Sequence, residues 1–312
     1  MNNEKYEMET KINKLAYEAY GLYIGSQIDL PELRAIDEKC ENQVDIKIDL
    51  KKIYKDDAIK KLSKKAINVE KESINVGIPR VGFLRIKSGK KITIDSKSKE
   101  SSDLPRVFAT GVGMAIALYQ RGCLVLHSSA VSINGEIAIF LGAKGAGKST
   151  MATLLSKNGH HIFTDDILRL SFENGSIKMY RGPKAIKLKK DSLEALKKSI
   201  RKFEKINGIK SKVLATTICN KPERTYDTAK VFVLSDGSTV SIDRIKRKKA
   251  LGCIIKNSFI PNKLHVYNET MDRHIRQCKK VVENFPVYTL SRPMSYSSSS
   301  DVAEALESHF KS

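Results

Sequence analysis

The stretch Gly142-Ala143-Lys144-Gly145-Ala146-Gly147-Lys148-Ser149 has the spacing Gly-x-x-x-x-Gly-Lys-Ser, a device for holding phosphate. Gly142, Gly145 and Gly147 can take backbone angles closed to other residues, so that successive amides point at one anion. Lys148 places a compact charge between the β- and γ-phosphates of a nucleoside triphosphate such as ATP. The hydroxyl of Ser149, followed by Thr150, is a ligand for Mg2+. Two adjacent carboxylates, Asp165 and Asp166, come after the loop, and His127 comes before it. Beside a phosphate site, one carboxylate can take the proton from an acceptor hydroxyl while the other bears on the metal or braces the loop. A single metal-side aspartate next to one that caps a helix is the plainer alternative. His127, within Leu-Val-Leu-His-Ser-Ser, reads on its own as a core histidine with a buried partner.

The elements that must position these groups are legible around them. Residues 136–141, Glu-Ile-Ala-Ile-Phe-Leu, form a strand that feeds the loop, and a helix follows over about 147–157, stopped by Asn158-Gly159. A strand over 161–165 then delivers the paired carboxylates, on extended backbone, to the sheet edge where phosphates lie. Strand, loop, helix and strand make a mononucleotide-binding unit. Upstream, Pro105 starts an apolar helix to about Tyr119. A strand over 123–133 carries His127, and Asn134-Gly135 makes the hairpin into the strand before the loop. Downstream, Asn174-Gly175 and Asp236-Gly237 mark further hairpins. Leu193, Leu196, Ile200 and Phe203 share one face of a helix capped by Asp191 or Ser192, and helical patterns cover 244–256, 269–283 and 301–310. Before residue 104 lie short β-like pieces over 20–28, 44–50, 67–70, 83–86 and 91–95. The expected fold is α/β, with a P-loop mononucleotide-binding core and a mixed sheet over 105–312. A small β-rich N-terminal domain over 1–104 precedes it.

The 312 residues suit two domains, and 41% apolar with 7% aromatic residues suit a globular chain. The longest apolar stretch, 107–119, falls short of the roughly 20 residues that span a bilayer, so no membrane role is expected. The N-terminus carries acidic residues and no apolar run, which argues against a secretory signal and for a cytoplasmic location. Cys40, Cys123, Cys219, Cys253 and Cys278 contain no Cys-x-x-Cys pair and read as free thiols. The charge is unusual: 56 Lys plus Arg against 35 Asp plus Glu leave +21. The basic runs at 187–190, 197–205 and 244–249 do not alternate with aromatics, which disfavours nucleic acid. A solvated lysine surface is the ordinary reading, and an acidic partner the sharper one.

Leu126-His127-Ser-Ser-Ala130, the loop from Phe140 to Thr150, and Gly159-His-His-Ile-Phe-Thr-Asp-Asp166 together resemble the HPr kinase/phosphorylase catalytic domain, similar in fold to the nucleotide-binding part of phosphoenolpyruvate carboxykinases. The resemblance implies that Asp165 is the general base on a serine hydroxyl and that Asp166 supports it near the metal. It also implies that His127 sits beside the reacting phosphate, and it suggests a homo-oligomer. Where that family has Glu ahead of Arg-Gly, this chain reads Lys178-Met179-Tyr180-Arg181-Gly182. Arg181 becomes a candidate contact for phosphate or for a substrate's terminal carboxylate. Residues 20–33, 187–196 and 285–293 look like the HPr-kinase-like enzymes encoded with ribosomally made peptides, notably lasso-peptide precursor kinases. This implies an ATP- and Mg2+-dependent kinase whose acceptor is the C-terminal serine of a precursor peptide. A phosphocarrier kinase/phosphorylase, or an ATPase that recruits an acidic peptide or nucleic acid without phosphorylating it, are the competing readings.

Overall fold

The computed structural model describes residues 15–36, 43–53, 67–78, 82–96, 102–190, 192–193, 197, 200–217, 223–259, 268–293 and 299–311. Cys40, Cys219, Asp191 and Leu196 lie outside them. Among the described residues no helix is long and apolar enough to cross a membrane, and Cys123, Cys253 and Cys278 are free thiols.

Among the described residues the N-terminal part forms an eight-stranded sheet made of β1 (Leu15–Ala19), β2 (Leu22–Ser26), β3 (Arg34–Ala35), β4 (Ile46–Leu50), β5 (Ile67–Val69), β6 (Ser73–Ile78), β7 (Gly82–Lys87) and β8 (Lys91–Ser96). Its order is β3-β1-β2-β4-β8-β7-β6-β5. The piece expected over 20–28 is the second arm of a hairpin, because Tyr20 and Gly21 both take positive φ and turn the chain between β1 and β2. β6 was not foreseen.

Pro105 sits in the first turn of α1 (Leu104–Phe108), which passes through a π-turn at Ala109–Gly113 into α2 (Met114–Gln120). This helical rod buries Ala109, Met114, Ile116 and Leu118 in the same apolar cluster as Ile24, Ile48, Leu84 and Ile92 of the N-terminal sheet.

The remaining strands are β9 (Leu124–Leu126), β10 (Ser129–Ile133), β11 (Glu136–Leu141), β12 (His161–Thr164), β13 (Leu168–Glu173), β14 (Ser176–Tyr180), β15 (Ile186–Lys189), β16 (Ile200–Ile206), β17 (Ile209–Thr217), β18 (Thr225–Tyr226), β19 (Ala229–Asp236), β20 (Ser241–Arg244) and β21 (Val287–Arg292). The helices are α3 (Lys148–Lys157), α4 (Arg247–Asn257), α5 (Asn268–Asn284) and α6 (Ser299–His309). The central six-stranded sheet has the order β12-β10-β11-β19-β21-β20. β11, β19 and β21 run parallel, while β10 and β20 are antiparallel to their neighbours, so the sheet is mixed as expected. Along β11 the side chains alternate between two buried layers. Ile137, Ile139 and Leu141 pack with Ala250 and Ile254 of α4 and Val281 of α5, whereas Ala138 and Phe140 pack with Leu155 of α3 and Leu306 of α6. A four-stranded sheet, β18-β14-β13-β9, and a three-stranded one, β15-β17-β16, complete the fold.

Three expectations are corrected. The strand foreseen over 123–133 is two strands in different sheets, β9 against β13 and β10 against β11. The helix foreseen through Ile200 and Phe203 gives way to strand β16, which pairs with β17 across Asn207-Gly208. Asp236-Gly237 is not a hairpin turn, because β19 and β20 both pair with β21, which lies between them.

Candidate active site

Two chain segments change sheets at one place. Between β9 and β10 the chain leaves the four-stranded sheet for the central one at His127-Ser128, and between β12 and β13 it crosses back at Asp165-Asp166-Ile167. Strands that switch sheets do so through bends and bulges, and the β10–β12 register shifts between Ala130 and Val131. His127, Asp165 and Asp166 are the residues of these two bends. His127 is therefore exposed at a break in the strand and not enclosed in the core.

The second bend is tight. The Ile167 amide donates to the Asp165 carbonyl at 2.9 Å, with Asp166 between them at φ +67. Positive φ in a residue other than glycine is a local strain that Asp tolerates better than most. Asp166 is thus not on extended backbone, and no helix follows it to be capped. Its carbonyl accepts a hydrogen bond from His127 Nδ1 at 3.1 Å. Because a carbonyl only accepts, Nδ1 carries the proton and Nε2 is the basic nitrogen. Although the residue is exposed, its ring is partly shielded from water, and this, with the Lys148 ammonium after it, holds the imidazole below its ordinary pKa against the pull of Asp166.

Asp165 is buried. Its Oδ1 accepts from Ser129 Oγ at 2.5 Å, and its Oδ2 has no hydrogen-bond partner among the described residues. Burial first, and the Asp166 carboxylate second, push its pKa up to about 6, against the hydroxyls of Ser129 and Ser149 and the Lys187 ammonium. Asp166 is more exposed, and Lys187 Nζ lies 3.6 Å from its Oδ2.

The glycine loop joins β11 to α3 and faces the same point. Gly145 and Gly147 have φ of +93 and +88, which other residues rarely take. Among the described residues the first turn of α3 has neither a side-chain cap nor an acidic residue, so no side chain competes there with an anion. Lys148 is buried, and its Nζ donates to the carbonyls of Gly142 at 2.8 Å and Ala143 at 3.3 Å. Burial lowers its pKa, opposed by Asp165 and Asp166. Two residues that were not singled out hold the loop in place. Arg292, at the end of β21, donates to the Ala146 carbonyl at 2.7 Å, and a Cβ at Gly147 would collide with its guanidinium. Asn257, the last residue of α4, accepts the Gly142 amide on Oδ1 at 3.2 Å and the His127 amide on its carbonyl at 2.8 Å. It ties the loop to the first bend. Arg292 falls within the 285–293 segment that carries the resemblance, but its contact with the loop, like that of Asn257, is revealed only by the tertiary structure.

Arg181 lies elsewhere. Its guanidinium makes a 2.6 Å ion pair with Glu18 of β1, and its carbonyl accepts the Tyr20 amide at 2.6 Å. Arg34 donates to the Gly182 carbonyl at 2.6 Å, and the Glu32 carbonyl accepts the Lys184 amide at 2.9 Å. The N-terminal sheet therefore grips the segment 181–184, which leads into β15 and Lys187. Gly182 packs against Thr164, the residue before Asp165, so closely that a Cβ there would collide with the Thr164 hydroxyl.

No protein-family model matches the chain, and no curated protein matches it in sequence. Among solved structures, the Hpr(Ser) kinase/phosphatase from Coxiella burnetii is similar over 60% of this chain and 96% of that chain, at 11% identity and a TM-score of 0.32. So distant a likeness carries no argument about what this chain does.

Proposed function

We propose that this chain is an ATP- and Mg2+-dependent phosphotransferase that moves the γ-phosphoryl group of ATP to a serine hydroxyl of a peptide or protein. The observation that carries the reading is Asp165: a buried carboxyl with one unpartnered oxygen, next to Ser149 of the phosphate loop, and with a pKa pushed up to about 6. A general base works best when its pKa approaches the operating pH. Asp165 takes the hydroxyl proton as the serine oxygen bonds to the γ-phosphorus. The bond from that phosphorus to the β–γ bridging oxygen breaks, and ADP leaves. The loop amides and Lys148 stabilise charge on the transferring group, with Lys148 exchanging loop carbonyls for phosphate oxygens. His127, joined to Asp166 by its Nδ1–H, sets the shape of the bend that holds both carboxylates.

The donor set fits Mg2+. The Ser149 hydroxyl and the partly exposed Asp166 carboxylate are hard oxygen ligands that would hold the ion, leaving Asp165 Oδ2 for the proton, and Mg2+ needs only one or two carboxylates beside the phosphates. When bound, the ion would neutralise phosphate charge. The sequence resemblance to lasso-precursor kinases supports a ribosomally made peptide ending in serine as the acceptor. The test is incubation with γ-labelled ATP, Mg2+ and a set of serine-terminated peptides. Label on serine is the expected result. ADP released with no labelled acceptor would favour an ATPase and reject the kinase.

A further inference from the structure

One face of the small β15-β17-β16 sheet carries a lysine track that starts at the active site. Cross-strand partners and residues two apart share a face. Lys187 pairs with Leu214 and Lys189 with Lys212, while Lys202 pairs with Thr216 two residues along from Leu214. Lys187, Lys189, Lys202 and Lys212 therefore project from the same side. On the opposite side Ile186 and Leu188 of β15 and Val213 and Ala215 of β17 are buried with Phe140 and Leu155. Val107, Ala185 and Ile206 cover the lysine face around Leu214, and the inner lysine, Lys187, is itself largely buried.

The inner end of the track touches the chemistry. Lys187 Nζ is 3.6 Å from Asp166 Oδ2, and the Lys212 charge is felt at both His127 and Lys148. Further out, Lys189 is exposed, and Lys202 is exposed too, with Glu204 2.6 Å from its ammonium. The carboxylates that meet this face, Asp166 and Glu204, leave it with a net positive charge. Same-face residues two apart are roughly 7 Å from each other along a strand, the side-chain repeat of any extended peptide. We infer that this face is the docking track for an acidic stretch of the acceptor, which lies extended along the lysines and delivers its serine to Asp165. The exposed aromatic of the sheet, Phe203, pairs with Ala215 and so belongs to the other side. Among the described residues the track thus has lysines and no aromatic ring to stack on, which favours carboxylates over nucleotide bases as its ligand.

This inference rests on the proposed kinase reading, and binding measurements separate the two. A fluorescein-labelled peptide with three glutamates beside its serine is titrated with the full chain, alongside a peptide with glutamines in their place. A single-stranded thymidine oligonucleotide and a fluorescent ATP analogue are titrated as well. The glutamate peptide is expected to bind about tenfold more tightly than the glutamine peptide at low salt, and the advantage should fade as salt is added. In Lys189→Glu/Lys202→Glu the preference should vanish while binding of the ATP analogue is unchanged, which also shows that the variant is folded. Equal binding of both peptides, preference kept in the double variant, or capture of the oligonucleotide in place of the acidic peptide would each overturn the track. Failure of the kinase reading shows separately, as γ-labelled ATP that gives ADP and no labelled serine while the glutamate peptide still binds.

Discussion

At the scale of single residues, the unusual environment of Asp165 bears on stability as well as activity. Its carboxyl titrates near 3.8 in an unfolded chain and at about 6 in the fold. Between those values the folded chain binds more protons than the unfolded one, so stability falls as pH rises through that window. By pH 7 the penalty is on the order of 3 kcal/mol. Asp165→Asn removes it while keeping an acceptor for Ser129. The variant is expected to be more stable than wild type at pH 7.5, with the gap closing near pH 4, as read by urea unfolding at both. For the wild type, kcat/KM for phosphotransfer should climb as pH passes about 6 and the carboxylate forms. An equal urea midpoint for the two proteins at pH 7.5 would show that Asp165 is not strained by its burial.

The double sheet switch is the device at the scale of elements that gathers residues 127 and 165–166. It was only partly legible in the sequence. The glycine loop, α3 and the two hairpins at Asn134-Gly135 and Asn174-Gly175 follow from local chemistry, since positive φ at both turn residues suits Asn-Gly, and both turns show it. The break at His127-Ser128 leaves no such mark. The apolar run is continuous on either side, and what divides it is which sheet each half joins. Asn207-Gly208 turns β16 into β17, a hairpin missed because the three- and four-residue spacing from Leu193 to Phe203 pointed to a helix. Five successive exposed residues in β16 show that no buried stripe existed to enforce one. Close packing of Gly182 on Thr164 links the segment 181–184 to the second bend. Gly182→Ala forces the two apart without any demand for positive φ. The expected cost is about 2 kcal/mol of stability with at least a tenfold loss of phosphotransfer, measured by urea unfolding and initial rates. Full activity in the variant would mean that the bend does not depend on that contact.

At the scale of the whole molecule, the N-terminal sheet packs against the part that carries the candidate site. It shares a hydrophobic cluster with the rod at residues 104–120, and through Glu18, Tyr20, Glu32 and Arg34 it holds the segment that carries Lys187 to Asp166. A chain beginning at residue 104 would expose Met114, Ile116 and Leu118, each fully buried in the intact protein. Such a fragment is expected to bind a hydrophobic dye and to lack a cooperative unfolding transition, whereas sharp unfolding with retained ATP-analogue binding would show the sheet to be dispensable. The central claim, that the two bends and the phosphate loop form one hydroxyl-phosphorylating site, is tested most directly by transfer of label from γ-labelled ATP to a serine-terminated peptide. Wild type and Asp165→Asn are compared under conditions where both bind the ATP analogue equally. The expected result is labelled serine from the wild type and at least about a hundredfold slower labelling from the variant; undiminished transfer by Asp165→Asn would contradict it.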